Sequence, residues 1–399
     1  MPIASNSINR SYKNNLFINN KKNPIDKLHD TIDTLFKEKN LDDIKYSMFF
    51  QDNESISTLN MNSMAIDSKS SKDTNEYTSK TPQNISRLDN KNQSISSNDL
   101  NDTIELYKLV GERNADFLFH WIYNIYDRIH LPSIQNEYKQ ILNLTKTKLG
   151  IFNVLIDDLA DNSKIRNKEL LEKCMVIPWN FNEKYNNRYL ETVRTIWEDC
   201  IKSIEEFPRF NKFEDVFYFD LFQFMNCNKY SYLVNTKKTS NFTEDKIYLH
   251  HGVMVLLHCD LDLMCSPNFD YNELGKLREI LYYVQDYIHI GNMLSTYTRE
   301  VEELDVSSPI ISLALRRGLI ERNLLTTDPE YALESLIPLI PIYQKRMKEN
   351  LSSINKYINE INSIDLQDFY QRLKSVGDAF LSRKQYWKKS RNKPLEIYN

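Results

Sequence analysis

Glycine is the residue this chain does almost without: 7 in 399 residues, where average usage would supply about 7%. The two that stand nearest each other are Gly275 and Gly291. A G-x-G-x-x-G turn or a G-x-x-x-x-G-K loop needs clustered glycines so that backbone N–H groups can approach phosphate. Neither can be built at this spacing, so the dinucleotide-binding and P-loop folds are set aside. Hairpins and sheet turns also draw on glycine, whereas helix bundles need little. A chain this poor in glycine that handles phosphate must do so by other means.

Charge and cysteine usage narrow the class further. Lys+Arg 51 against Asp+Glu 55 gives a formal charge of −4. No basic field points to a nucleic-acid partner. Cys174, Cys200, Cys227, Cys259 and Cys265 are odd in number and lack C-x-x-C spacing. That pattern fits a reducing, cytoplasmic setting and argues against a disulfide framework or a thiolate zinc site. No run approaches the roughly 18 apolar residues of a membrane span. The first residues carry Arg10, Lys13, Lys21 and Lys22 without an acid, as transit peptides do. They have no apolar core segment, and the stretch reads instead as a disordered tail.

Composition divides the chain near residue 103. Residues 1–103 are dominated by Asn, Ser, Lys and Asp, as in Asn90-Lys-Asn-Gln-Ser-Ile-Ser-Ser-Asn98. They cannot bury enough apolar area to offset about 1–2 kcal/mol of backbone entropy per ordered residue. This part is expected to be a largely disordered extension, with one short helical stretch within 25–50 and no catalytic role. Residues 104–399 are aromatic-rich and helix-periodic. The spacing predicts helices near 104–130, 133–161, 187–206, 213–235, 245–265, 271–304, 309–321, 330–362 and 366–388. Prolines 132, 178, 208, 267, 309 and 338 fall between or at the ends of most of them. The expected fold class is all-α, a single-domain helix bundle behind the extension.

Two segments interrupt the apolar pattern in the same way. In Gly150-Ile-Phe-Asn-Val-Leu-Ile-Asp157-Asp158-Leu-Ala-Asp161, positions 150, 154, 157 and 161 share one helix face. Unpaired carboxylates beside an apolar stripe are costly to desolvate, and a cation normally accompanies them. In the second segment Leu277, Leu281, Val284 and Ile288 form an inward stripe that continues into Asn292, Thr296 and Glu300. An amide, a hydroxyl and a carboxylate then stand one above another, all oxygen ligands suited to hard divalent cations. Taken singly, each segment also reads as a helix end turning to solvent.

The pair resembles the metal-binding motifs of class I terpene synthases. Asp157-Asp158-Leu-Ala-Asp161 matches the aspartate-rich D-D-x-x-D motif of that family. Asn292, Thr296 and Glu300 match its Asn/Ser-or-Thr/Glu triad, with the basic Arg299 just before the glutamate. The order agrees, and the separation, 292 − 157 = 135 residues, is similar to the family's. Residues 256–270 and 290–301 look most like microbial-type members, and the resemblance covers roughly residues 104–390.

The resemblance implies a terpene cyclase that binds an isoprenyl diphosphate, farnesyl or geranylgeranyl, through about three Mg²⁺ ions, with Mn²⁺ an alternative. It implies metal ligation by Asp157, Asp158, Asp161, Asn292, Thr296 and Glu300. Asp157 would bridge ions, and Asp158 is the one most suited to a salt bridge. Arg299 is expected to contact diphosphate, and Phe152 to form part of the cavity wall. Lys246, 46 residues before Asn292, stands where the family carries an arginine that senses diphosphate. Arg383 and Tyr386 are candidates for its adjacent Arg-Tyr pair, although here two residues separate them. Monomer or homodimer are both open. A chain-elongating prenyltransferase would need a second D-D-x-x-D motif where Asn292–Glu300 stand. A helical binding protein derived from such an enzyme is the alternative from another class. His250, His251 and His258 cluster without an H-E-x-x-H frame, and no zinc site is expected from them.

Overall fold

A computed structural model describes residues 97–180 and 184–382. Residues 1–96 of the proposed N-terminal extension, the helical stretch within it, and Arg383 and Tyr386 lie outside the described residues; residues 97–103, expected to be disordered, are instead helical. Within them the chain is all-α, with no β-strand. No helix is long and apolar enough to cross a membrane. The five cysteines are buried and unbridged.

The first helix, α1, runs Ser97–Lys108 and spans the position where composition changes; its Leu100, Thr103 and Ile104 are buried. It is followed by α2 (Ala115–Arg128), α3 (Lys139–Asp161), α4 (Lys168–Val176), α5 (Arg188–Glu205) and α6 (Phe210–Lys237). Next come α7 (Phe242–Tyr248), α8 (Val255–Met264) and the 30-residue α9 (Leu274–Glu303). The last of the described helices are α10 (Pro309–Arg316), α11 (Leu324–Thr327), α12 (Pro329–Leu336), α13 (Ile340–Tyr357) and α14 (Gln367–Ser382). The abundant asparagines start several of these helices. Asn114, Asn167, Asn187 and Asn241 each accept a hydrogen bond from the backbone N–H three residues on, satisfying a donor that the first turn leaves open.

Scarcity of glycine leaves a mark at the other helix ends. Left-handed caps fall to Lys238 (φ 56°), Met254 (φ 51°) and Leu304 (φ 57°). Such a backbone costs an L-residue roughly 1–2 kcal/mol, so the surrounding packing must impose it. Leu304 turns the chain sharply after α9 and sends Asp305 back toward the bundle interior, where it is buried.

Three periodic segments that read as continuous are broken. The stretch 104–130 stops at Lys108 because Val110 N and Gly111 N both turn back to Tyr107 O. The stretch 245–265 is split by a tighter turn, Leu249–Val253, and by left-handed Met254. Prolines 338 and 341 divide 330–362 into α12 and α13. Periodicity also passed over α4, whose nine residues are too few to show a repeat.

The long helices α3 and α9 are the two axes of the bundle. α3 packs on α2, α5 and α6, while α9 packs on α8, α13 and α14. A buried ion pair anchors the start of α3: Lys146 Nζ lies 2.6 Å from Asp262 Oδ1 on α8, and His130 Nδ1 lies 3.0 Å from the same oxygen. Burial alone would push the Asp262 carboxyl up, but Lys146 and His130 outweigh it and hold it at about 2. Asp262 thus serves the core.

Candidate functional site

Between α3 and α9 lies a cavity of about 160 Å³. One wall is the α3 stripe Gly150, Asn153, Val154 and Asp157; the opposite wall is Ile288, Asn292, Thr296 and Arg299 from α9. Helical spacing puts each set on one face. α2 contributes Trp121, Ile122 and Tyr126, and α14 contributes Phe380. Gly150 lets Tyr126 approach: a Cβ there would stand 3.1 Å from the Tyr126 hydroxyl. Gly291 does the same for α14, since its Cβ would stand 3.1 Å from the Phe380 ring. The broken turn supplies Gly252 and Val253 to the same wall. Its carbonyls are satisfied from neighbouring helices: Asn153 Nδ2 donates to Gly252 O (2.9 Å) and the Cys227 thiol to Leu249 O (3.5 Å).

Adjoining it is a polar chamber of about 90 Å³ that shares Asp157, Asn292, Arg299, Gly252 and Val253 with the cavity. Asp161, Glu300, Asp305, Ser307 and Ser308 add to its polar wall. The helix ends that carry these groups are tied together. Ser163 N donates to Glu303 O (3.0 Å), and Arg166 Nε donates to Ala160 O (3.1 Å), capping α3. Asp305 Oδ1 accepts from Asn235 Nδ2 and from Ser307 N, each at 2.9 Å.

The carboxylates are strongly perturbed. Burial, with Asp158 and Asp305 nearby, raises Asp157 to about 6 despite Arg113 and Arg299. Asp161 is pushed well above the ordinary range by burial and then by Asp157 and Asp305. Burial raises Glu300 to about 7, outweighing Arg299. Thr296 Oγ1 lies 2.5 Å from Glu300 Oε1 and 2.8 Å from Asn292 O. Asp158 turns aside and pairs with Arg113, whose Nε donates to its Oδ1 at 2.9 Å.

The structure gathers Asp157, Asp158, Asp161, Asn292, Thr296, Arg299 and Glu300 in one region. Two expected residues stand elsewhere. Phe152 is fully buried on the far side of α3, its ring 5.2 Å from that of Trp197. Five residues from Asp157 is about 140° around a helix, so it cannot share the aspartates' face. Lys246 is exposed on α7 and lines a separate pocket of about 30 Å³ with Arg316 and Arg346. Neither lines the cavity or the chamber. Conversely, sequence reasoning passed over Arg113, Glu303 and Asp305. Gly111 and the acids just beyond Glu300 were the signals available. Among the described residues, no three His, Cys, Asp or Glu side chains converge on one metal position.

A scan against protein-family models and a search of curated proteins find no match for the chain.

Proposed function

We propose that the chain is a Mg²⁺-dependent class I terpene cyclase that ionises a C15 or C20 isoprenyl diphosphate and closes the resulting carbocation into a ring. The observation that carries this reading is the joining of a cavity with an apolar, aromatic part of its wall to a carboxylate-lined chamber, with α3 and α9 contributing to both. Such a site suits a ligand with a hydrocarbon tail and a polyanionic head.

The donor set fits divalent cations. Around the chamber stand six carboxylates (Asp157, Asp158, Asp161, Glu300, Glu303, Asp305) and two guanidiniums (Arg113, Arg299), a sum of 2 − 6 = −4 when all are ionised. Buried Asp158 Oδ2 and Asp161 Oδ1 accept no hydrogen bond among the described residues. Glu300 Oε2 and Ser308 Oγ lie near each other without meeting hydrogen-bond geometry. All are oxygen donors, as Mg²⁺ prefers.

When bound, Mg²⁺ supplies neutralisation of the charge that builds on departing diphosphate. The chain's own contribution is to hold the diphosphate at Arg299 and the carboxylate chamber while the tail lies along α2 and α3. Heterolysis of the allylic C–O bond leaves its electron pair on diphosphate and a cation in the cavity; ring closure followed by loss of a proton from an adjacent carbon gives the neutral cyclic hydrocarbon. Rings of Trp121, Tyr126 and Phe380 face that cation, each worth roughly 2 kcal/mol when desolvated. Ile122, Val154 and Ile288 exclude the water that would quench it.

The test is incubation with geranyl, farnesyl and geranylgeranyl diphosphates, each with and without Mg²⁺, and extraction of volatile products. A cyclic terpene formed only with Mg²⁺ is expected from at least one of them. No turnover of any of the three contradicts the proposal.

A further inference from the structure

We infer that Arg113 is an anion-binding residue, whose cavity-side guanidinium edge receives a phosphate group of the Mg²⁺-bound diphosphate; this rests on the proposed function. Arg113 comes from the α1–α2 loop, an element that carries neither oxygen-ligand segment. Three local features aim it. Val110 N and Gly111 N fold back onto Tyr107 O at 3.0 and 2.7 Å. Gly111 has no side chain where one would meet the Tyr107 ring, its Cβ falling 2.1 Å from Cζ. Arg113 N then donates to the Tyr107 hydroxyl at 3.2 Å.

So placed, the guanidinium is buried, lines the cavity beside Asp157 and Arg299, and is incompletely used. A guanidinium carries five N–H donors. Nε and Nη2 both point at a single oxygen, Asp158 Oδ1, instead of pairing one-to-one with its two oxygens. Nη1 makes no hydrogen bond among the described residues; its nearest acid, Glu303 Oε1, is 3.9 Å away. The other oxygen of Glu303 is taken by Arg299 Nη1. Two buried like charges therefore flank one carboxylate on the wall of one cavity, with donors left over.

The Arg113 side chain keeps some exposure while lining the cavity, and its planar fork matches two oxygens of a phosphate group. Carboxylates outnumber guanidiniums around the site, so an anion approaching alone is repelled. Binding at Arg113 accordingly requires the divalent cation. Asp158 keeps the inner edge of the fork and fixes its direction, and Arg113 needs no rearrangement to present the outer edge.

Calorimetric titration of the full chain with inorganic diphosphate, with and without Mg²⁺, tests this without catalysis. Wild type is expected to bind diphosphate only when Mg²⁺ is present. Arg113→Lys preserves a positive charge beside Asp158 but loses the fork, and should bind Mg²⁺-diphosphate about tenfold more weakly or worse; Arg113→Ala should fall further. Equal affinity in Arg113→Lys and wild type overturns the inference and leaves the proposed function standing. Should Arg113→Ala fail to fold, Arg113→Lys alone decides. Failure of wild type to bind Mg²⁺-diphosphate removes the proposed function and this inference together.

Discussion

The backbone N–H of Ser163 donates to the carbonyl of Glu303 at 3.0 Å, joining the C-terminal ends of the two helices that supply the site's oxygen ligands. Asp161 stands two residues before this contact and Glu300 three residues before it, so the two ligand groups are held at a set separation. The cavity lies farther back along the helices, where α3 and α9 face each other across Val154 and Ile288.

Glu300 gives a pH prediction. Its folded-state pKa is raised from 4.5 to about 7, so the folded state holds a proton that the unfolded chain releases. The stability from this group is fully present below the unfolded pKa and is lost as pH rises through about 7. Buried His251 and half-buried His289, lowered to about 3 and about 4 by desolvation, work in the opposite direction. Comparison with a variant cancels them. In a chelator, the Tm of Glu300→Gln should rise relative to wild type between about pH 5 and about pH 8. A difference that stays flat, or falls, counts against the raised pKa.

Phe152 belongs to the core between α3 and α5. Phe152→Ala is expected to cost about 3–5 kcal/mol in chemical denaturation, because a fully buried ring is removed from beside Trp197. A loss below about 1 kcal/mol would mean that the ring is not packed as described.

Lys238 is exposed and holds φ 56° at the end of α6. Lys238→Gly relieves the left-handed penalty of roughly 1–2 kcal/mol while adding unfolded-state entropy worth about 0.5–1 kcal/mol. A net gain of about 0.5 kcal/mol in denaturant midpoint experiments is expected. Destabilisation would show that the lysine side chain has a role at this cap.

Gly111→Ala should do the reverse. The added carbon overlaps the Tyr107 ring, and accommodating it moves the ring or the loop at about 1–3 kcal/mol. Because the same loop carries Arg113, thermal unfolding and Mg²⁺-diphosphate affinity should fall together. An alanine that leaves Tm unchanged would contradict the tight seat of the loop.

Much of the fold was legible because the helical period survives burial: α3, α5, α6 and α9 follow their apolar stripes closely. What periodicity could not register is where backbone conformation changes without a change of pattern. Met254 and Leu304 are apolar residues in left-handed conformations, and nothing in a hydrophobic repeat marks them. At the site, the α3 and α9 faces that meet were readable from spacings of three and four. Asp305 was not, because it reaches the chamber only through the turn at Leu304. Arg113 was hidden for a related reason: its pairing with Asp158 spans 45 residues and depends on Gly111 yielding space to Tyr107. Phe152 lies off the cavity because angle around the helix, not proximity along the chain, decides its face, and Lys246 lies off it because a count of residues does not fix where a separate helix, α7, sits.

The most direct measurement is conversion of farnesyl and geranylgeranyl diphosphate to cyclic hydrocarbon and inorganic diphosphate by wild type, Asp157→Ala and Glu300→Ala, with circular dichroism on all three. One residue comes from each ligand helix, so a shared site requires both. Mg²⁺-dependent turnover is expected from wild type alone, with helical spectra retained in both variants. Turnover near the wild-type rate in folded Asp157→Ala and Glu300→Ala would contradict a cation site built by α3 and α9.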